Sequence, residues 1–345
     1  MILVLNCGSQ SIKWKVFNEK LKLLKQGKRD VLSPAGWEKI LEEELCKVSE
    51  EIVLVGHRVV HGGGIFTKPL EITSENLAEL EKISHLAPLH NPYNTLGIKA
   101  CHKFFTKAVQ VAVFDTEFFT NLPEYANTYA LPENIAKEFG FKRYGFQGTS
   151  HEYVARKAAE IVKKPFNKLK IITCHLGGGA SVTAIKNGKA VDTSMGFTPL
   201  EGLVMMTRSG NIDAGIVFEL VKSFGVEGAD KILNKDSGMK GISGEDNMLS
   251  LLEKVKQKDE NAKLAFDVFV YSIQKYIGGY FAILGGCDVL VFTGSIGSGN
   301  PKTRNAVCKN LDILKKPARR GGGTKVFAVE TDEELAIAQK IIKLK

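Results

Sequence analysis

The sequence is poorest in the features that would place it in a membrane or outside the cell. No run of 18 or more apolar residues occurs in its 345 positions, so no helix is expected to span a bilayer. The first residues, Met1-Ile2-Leu3-Val4-Leu5, carry no charged leader and no small-residue cleavage site, so no signal peptide is expected. Cysteine is sparse: Cys7, Cys46, Cys101, Cys174, Cys287 and Cys308 are scattered and form no Cys-x-x-Cys pair. That pattern excludes a disulfide framework and a zinc ribbon, and it fits reduced thiols in the cytoplasm. There is no low-complexity linker and no long single-sign charge block. The net charge is +9, but the lysines are dispersed, as at Lys163-Lys164 and Lys254-Val255-Lys256. The longest cluster, Lys315 to Arg320, is short. A solvated basic surface that attracts small anions is expected, not a nucleic-acid interface. No Gly-x-x-x-x-Gly-Lys-Ser/Thr loop is present, and no Gly-rich turn has Rossmann context.

What the chain does contain is a repeated grammar. Ile2 to Leu24 reads as strand, small-residue turn (Asn6-Cys7-Gly8-Ser9-Gln10), strand (Ile12 to Phe17), polar turn, and a third apolar stretch. Lys170 to Asp192 reads the same way: Ile171 to Cys174, the turn Leu176-Gly177-Gly178-Gly179, a strand through Ile185, the hairpin signal Asn187-Gly188, then a further strand. Recurrence half a chain apart points to a duplicated domain. Further strands are expected at 52–55, 110–114 and 289–292. Helices are expected near 74–84, 150–163, 214–222, 262–284 and 333–343. Alternation of the two makes an α/β protein. A length of 345 residues favours two domains, with a boundary near Asp115 to Asn121.

Three small-residue loops each end an apolar strand: Asn6 to Ser11, Leu176 to Ser181 and Gly294 to Gly299. Loops of this kind let backbone N–H groups approach an oxyanion, and three of them fit a nucleotide. Three adjacent glycines are entropically costly and are better explained by close approach of phosphate than by turn geometry. Arg58, in Gly56 to Gly63, and Arg208, in Thr207 to Asp213, offer planar forks for carboxylate or phosphate. Singly, each would more often be a surface ion pair. Asp115 ends an apolar strand, where α/β proteins gather ligands; a turn cap is the equally weighted alternative. Thr331-Asp332-Glu333-Glu334 reads first as a helix cap.

Together these segments resemble the acetate kinase family in order along nearly the whole chain. The motifs are Asn6 to Lys13, Gly56 to Gly63, His85 to Pro92, Phe114 to Thr116, Arg143 to His151, His175 to Ser181, Thr198 to Gly210 and Thr331 to Leu335. The resemblance implies a duplicated actin/sugar-kinase/Hsp70-like fold. Residues 1–117 with 331–345 would form one domain, and 118–330 the second, with the nucleotide loops and a dimer interface. It implies reversible, Mg²⁺- (or Mn²⁺-) dependent phosphoryl transfer from ATP to acetate, giving ADP and acetyl phosphate, by a cytoplasmic homodimer. Alternatives are propionate or butyrate as substrate, or a weakened nucleotide-binding paralogue.

By the same likeness Arg58, Arg208, Asp115 and Gln147 are catalytic. Val60, Leu89, His90, Phe146 and Pro199 line the acyl pocket. Asn6 and Glu333 lie near the metal. Ser9, Ser11, Lys13, His175, Leu176, Gly177, Gly178, Gly179, Asp246, Ser295, Ile296, Gly297, Ser298 and Gly299 meet the nucleotide. The chain departs from the pattern at Gln147, where the family has histidine, and at Gly178, where it has asparagine. It departs again at Ser295 to Gly299, for Gly-Ile-Gly-Glu-Asn, and at Asp246-Asn247-Met248, which lacks the arginine of Asp-x-Arg.

Overall fold

The computed structural model describes residues 1–9, 11–31, 36–88, 90–315 and 323–344. The chain divides into two compact units. Unit 1 comprises Met1–Thr120, Phe146–Tyr153 and Asp332–Lys345; unit 2 comprises Asn121–Gly145 and Val154–Thr331.

Unit 1 is built on a six-stranded sheet ordered β3-β2-β1-β4-β6-β5. The strands are β1 (Ile2–Cys7), β2 (Ser11–Phe17), β3 (Leu23–Asp30), β4 (Leu54–Val59), β5 (Leu70–Glu71) and β6 (Val109–Phe114). β1, β4 and β6 run parallel, and β2 and β3 fold back antiparallel from β1. Both faces of β1 are buried, which is why it reads as an unbroken apolar run. Leu3, Leu5 and Cys7 face Trp37, Leu41 and Leu45 of the helix Trp37–Leu45. Ile2 and Val4 face Ile337, Ala338 and Ile341 of the C-terminal helix Glu333–Ile341. Gly56 makes that second contact close: a Cβ there would lie 2.7 Å from Ile337 Cγ2 and 2.8 Å from Ile341 Cδ1.

Unit 2 carries β7 (Lys170–Leu176), β8 (Ala180–Lys186), β9 (Lys189–Thr193), β10 (Val289–Thr293) and β11 (Lys325–Ala328). The sheet order is β11-β10-β7-β8-β9, with β7, β10 and β11 parallel. An antiparallel meander (β7-β8-β9) followed by parallel strands repeats the plan of β1-β2-β3 with β4 and β6. The duplication is therefore topological as well as sequential. The long helix Glu260–Leu284 also belongs to this unit, as does the helical segment Ala214–Lys235, which is interrupted at Gly225 (φ 70°, ψ 174°).

Several elements differ from expectation. The strand expected at 52–55 is β4, two residues later, so Arg58 lies within a strand and not in a turn after it. The third apolar stretch of the first segment is a polar, mostly exposed strand, β3. The loop at Ser295–Gly299 begins as a single helical turn, Gly294–Gly297. The helix expected at 214–222 is found, and beyond the non-helical Gly225 a second, unexpected helical stretch runs on to Lys235. The C-terminal helix is capped by Asp332, whose side chain accepts from Leu335 N–H, and not by Thr331. The Arg-Gly run after Lys315 lies mostly outside the described residues.

His57 is fully buried on β4 and hydrogen-bonded to Gln110 of β6. Burial, chiefly, depresses its pKa from 6.5 to about 4. The unfolded chain therefore takes up this proton well before the folded one. The contribution is steady above pH 6.5 and is lost as pH falls toward 4, by about 3 kcal/mol. His57→Gln is expected to shrink the stability difference between pH 7.5 and 4.5 by roughly that amount, measured by urea unfolding at the two values.

Candidate active site

Parallel strands deliver their carboxyl ends to one edge of a sheet, and ligands of α/β proteins collect there. In unit 1 that edge holds Asn6 near the end of β1, Arg58 near the end of β4 and Asp115 just after β6. Arg58 grips Asp115 from two sides: Nε donates to Oδ1 and Oδ2 at 3.2 and 3.1 Å, and Nη2 donates to Oδ2 at 2.6 Å. Nη1 donates to Asn6 Oδ1 at 3.3 Å. A second carboxylate, Glu333 Oε2, lies 3.4 Å from Nε. Burial opposes the charge on Arg58, but Asp115 first and Glu333 next more than restore it, holding the guanidinium above its ordinary range. Glu333 is pushed up: burial is the main cause, and Asp115 and Glu334 add to it against the pull of Arg58.

Asp115 is held independently of Arg58. Thr149 Oγ1 donates to its Oδ1 at 3.2 Å, and Gly148 N–H donates to its backbone carbonyl at 3.0 Å. Only glycine fits at 148, because a Cβ would stand 2.3 Å from that carbonyl oxygen. The preceding residue, Gln147, takes φ 59°, a left-handed conformation uncommon outside glycine. Glu334 is buried, accepts from Asn6 Nδ2 at 3.5 Å and lies 3.5 Å from Lys15, which also pairs with Asp332 at 2.8 Å.

The other expected residues of unit 1 fall nearby in the sequence of strands. Lys13 is exposed and stands opposite Asn6 in the β1–β2 register; Ser9 and Ser11 are half-buried in the turn that joins them. Val60 and Phe146 are buried, and the Phe146 ring meets His61 edge-on at 5.4 Å. His90 is half-buried before the helix Asn91–Phe104, and Leu89 lies outside the described residues.

In unit 2, His175 and Leu176 end β7, opposite Thr293 at the end of β10. None of Gly177, Gly178 and Gly179 has a positive φ, and a Cβ at Gly178 would meet nothing within 4 Å. The protein's own packing therefore does not require glycine at 178, and the open space over the loop suits a ligand's approach. Ser295 Oγ lies 3.7 Å from a Cβ at Gly177, so the Gly294–Gly297 turn and the glycine loop adjoin. Ile296 and Gly297 are buried, Ser298 donates to Gly294 O, and Gly299 follows. Asp246 is exposed, in the turn before the helix Met248–Lys256.

Arg208 is half-buried, and its Nη1 donates to Pro199 O at 3.3 Å and lies 3.9 Å from Met205 Sδ. No carboxylate lies within ion-pair distance of it among the described residues, and burial lowers its pKa. A guanidinium withdrawn from water without a counterion is a receptor for an anion.

Sequence reasoning missed Thr149, Glu334 and Lys15. Thr149 lies within the Arg143 to His151 motif, and only its contact with Asp115, 34 positions away, gives it a role. Glu334 was read as a cap, while Glu333 was preferred beside Asn6; the structure sets Glu334 against Asn6 and Glu333 against Arg58.

Comparison with known proteins follows the same pattern. The sequence profile of the acetokinase family matches residues 35–339. The acetate kinase of Carboxydothermus hydrogenoformans is 42% identical, over 99% of this chain and 98% of its own. The crystal structure of Porphyromonas gingivalis acetate kinase superposes with a TM-score of 0.89 at 38% identity, covering 100% of this chain and 99% of that one. A propionate kinase from Francisella tularensis gives 0.88 at 35% identity, over 98% of each chain. With profile, sequence and fold agreeing over its length, this chain belongs to the acetokinase family.

Proposed function

We propose that the protein transfers the γ-phosphoryl group of ATP reversibly to acetate, giving ADP and acetyl phosphate. Arg208, a half-buried cation with no carboxylate within ion-pair distance among the described residues, is the observation that carries this reading within the family. A carboxylate oxygen of acetate attacks the γ-phosphorus while its bond to the β–γ bridging oxygen breaks, in line, and ADP leaves with that electron pair. Acetate is already an anion at neutral pH, so no base is needed to activate it. Asp115 then serves by aiming the Arg58 fork, and Arg58 and Arg208 neutralise the charge on the transferring group. The Gly177–Gly179 loop, His175, and Ser295 to Gly299 hold the nucleotide, with Asp246 toward its base. Ser9, Ser11 and Lys13 meet the phosphates. Val60, Phe146 and His90 of unit 1 are proposed to meet the acyl group.

Mg²⁺ suits Asn6 and Glu333. Both offer hard oxygen donors of the kind Mg²⁺ takes, and Glu333 lies near the further carboxylates Asp115 and Glu334. Held there by Asn6 and Glu333, the ion would offset charge on the ATP phosphates. The six cysteines are unpaired, which suits a reducing cytoplasm, and cell fractionation checks that placement.

Hydroxamate trapping is expected to find acyl phosphate with acetate and propionate ahead of butyrate. One methylene in such a pocket discriminates by about 1–3 kcal/mol. In the same assay Arg208→Ala is expected to lose about 10²–10³ in kcat. Preference for butyrate, or a near-normal Arg208→Ala, overturns the assignment.

Gln147 takes its left-handed φ of 59° two residues before Thr149, whose hydroxyl meets Asp115, and strain of this kind collects at functional sites. We propose that it donates a neutral hydrogen bond to the transferring group. Gln147→His is expected to raise kcat about tenfold, most clearly below pH about 6.5, where imidazole is charged. Equal pH profiles for the two would remove Gln147 from the reaction.

The homodimer expected from the resemblance finds support in unit 2. Ile216, Phe218, Phe224 and Val226 of the helix Ala214–Lys235 are 50 to 72% exposed. Sedimentation is expected to show a dimer that Phe218→Glu weakens.

A further inference from the structure

Lys340 stands apart from the residues assigned above. It lies on the C-terminal helix, its side chain only 19% exposed, with Nζ 2.9 Å from Glu117 Oε2 and 2.9 Å from Glu152 Oε2. Each of the three charged residues is linked by local geometry to a member of the Arg58 cluster. Glu333 and Lys340 are seven positions apart, two turns along one face of the same helix. Thr149 and Glu152 are three apart, one turn along the helix Gly148–Ile161. Glu117 follows Asp115 by two residues, in the short turn after β6.

One ammonium thus joins the three segments that bring Glu333, Thr149 and Asp115 together. The helix does not need it for docking, because Ile337, Ala338 and Ile341 already pack against Val4, Leu54 and Val113. What apolar packing leaves loose is the fine placement of polar groups, since hydrophobic contact is non-directional. The ion pairs supply direction. Without Lys340, Glu117 and Glu152 would face one another as like charges in a site where both are shielded from water. Glu117 already has a raised pKa, from burial first and despite Lys340. Such a pair relaxes by parting or by one carboxyl taking up a proton, and parting shifts the short turn that follows Asp115.

We propose that Lys340 is a positioning residue: by clasping Glu117 and Glu152 it fixes the placement of Asp115, Thr149 and Glu333 around Arg58. The inference rests on the phosphotransfer reading for its kinetic effect, and on geometry alone for its structural one.

The test uses the full chain with Mg²⁺, ATP and acetate. Lys340→Met is expected to lower kcat by about tenfold or more, with the KM for ATP within about twofold. Lys340→Arg, which keeps both ion pairs within reach, is expected to recover most of the loss. Hydrogen exchange on the ligand-free protein gives a second readout: the Gly148 amide, donor to Asp115 O, should exchange faster in Lys340→Met. Where Lys340→Met fails to fold, Glu117→Gln carries both measurements with the same expected directions. A parental kcat per folded molecule in Lys340→Met, or a Lys340→Arg as slow as it, overturns the proposal; so does unchanged exchange at Gly148. If the parent itself makes no acyl phosphate, the phosphotransfer reading fails, and exchange at Gly148 alone decides the role of Lys340.

Discussion

The guanidinium of Arg58 cannot shed its proton, and four-fifths of it is withdrawn from water. A charge in that position must be neutralised where it stands, or it costs several kcal/mol. The groups that meet it come from distant parts of the chain: the neutral acceptor Asn6 from the first strand, and the carboxylates Asp115, just after the sixth, and Glu333, from the last helix. Meeting that one requirement determines much of unit 1. The three parallel strands must end together, the chain must return after residue 331, and Gly56 must leave room for the returning helix to lie against the sheet.

The parts of this arrangement that sequence made legible are those written in apolar runs and small-residue turns. β1, β6, β7 and β10 stand where the runs stand. The position of β4 was misjudged because Ile52 and Val53 are apolar without being in the ladder. The helix Asn91–Phe104 escaped notice for a different reason: part of its buried face is polar. Asn94 accepts from Val60 N–H and donates to Cys7 O, and Asn91 makes the same double bond to the backbone of His61. A periodicity that counts apolar residues cannot see a face that binds backbone. The contacts of Thr149, Glu334 and Lys340 were invisible because their partners lie between 34 and 328 positions away.

Duplication of the sheet was not duplication of the chemistry. At corresponding strand ends, unit 1 presents charge, with Arg58 held between Asp115 and Glu333. Unit 2 presents backbone, with three adjacent glycines of which Gly178 is exposed and Gly177 is tied to Gly179 O by its own N–H. Arg208 adds a lone cation to the second set. The same topology thus supports two ways of meeting an anion, by fixed ion-pair geometry and by open main chain. The family's histidine position, filled here by Gln147, falls in the short segment of 146–153 that packs with unit 1 although its neighbours on both sides belong to unit 2.

That the C-terminal helix completes unit 1 also bears on the order in which the protein can fold as it is made. The six strands of the first sheet leave the ribosome long before the helix that covers Ile2, Val4 and Gly56. At roughly 5–20 residues per second the interval is on the order of tens of seconds. Through it, one face of the first sheet stays bare while the whole of unit 2's strand set is synthesised. The earlier-born unit is therefore the later to mature, and the nascent chain must keep an apolar sheet face out of trouble until its last helix arrives.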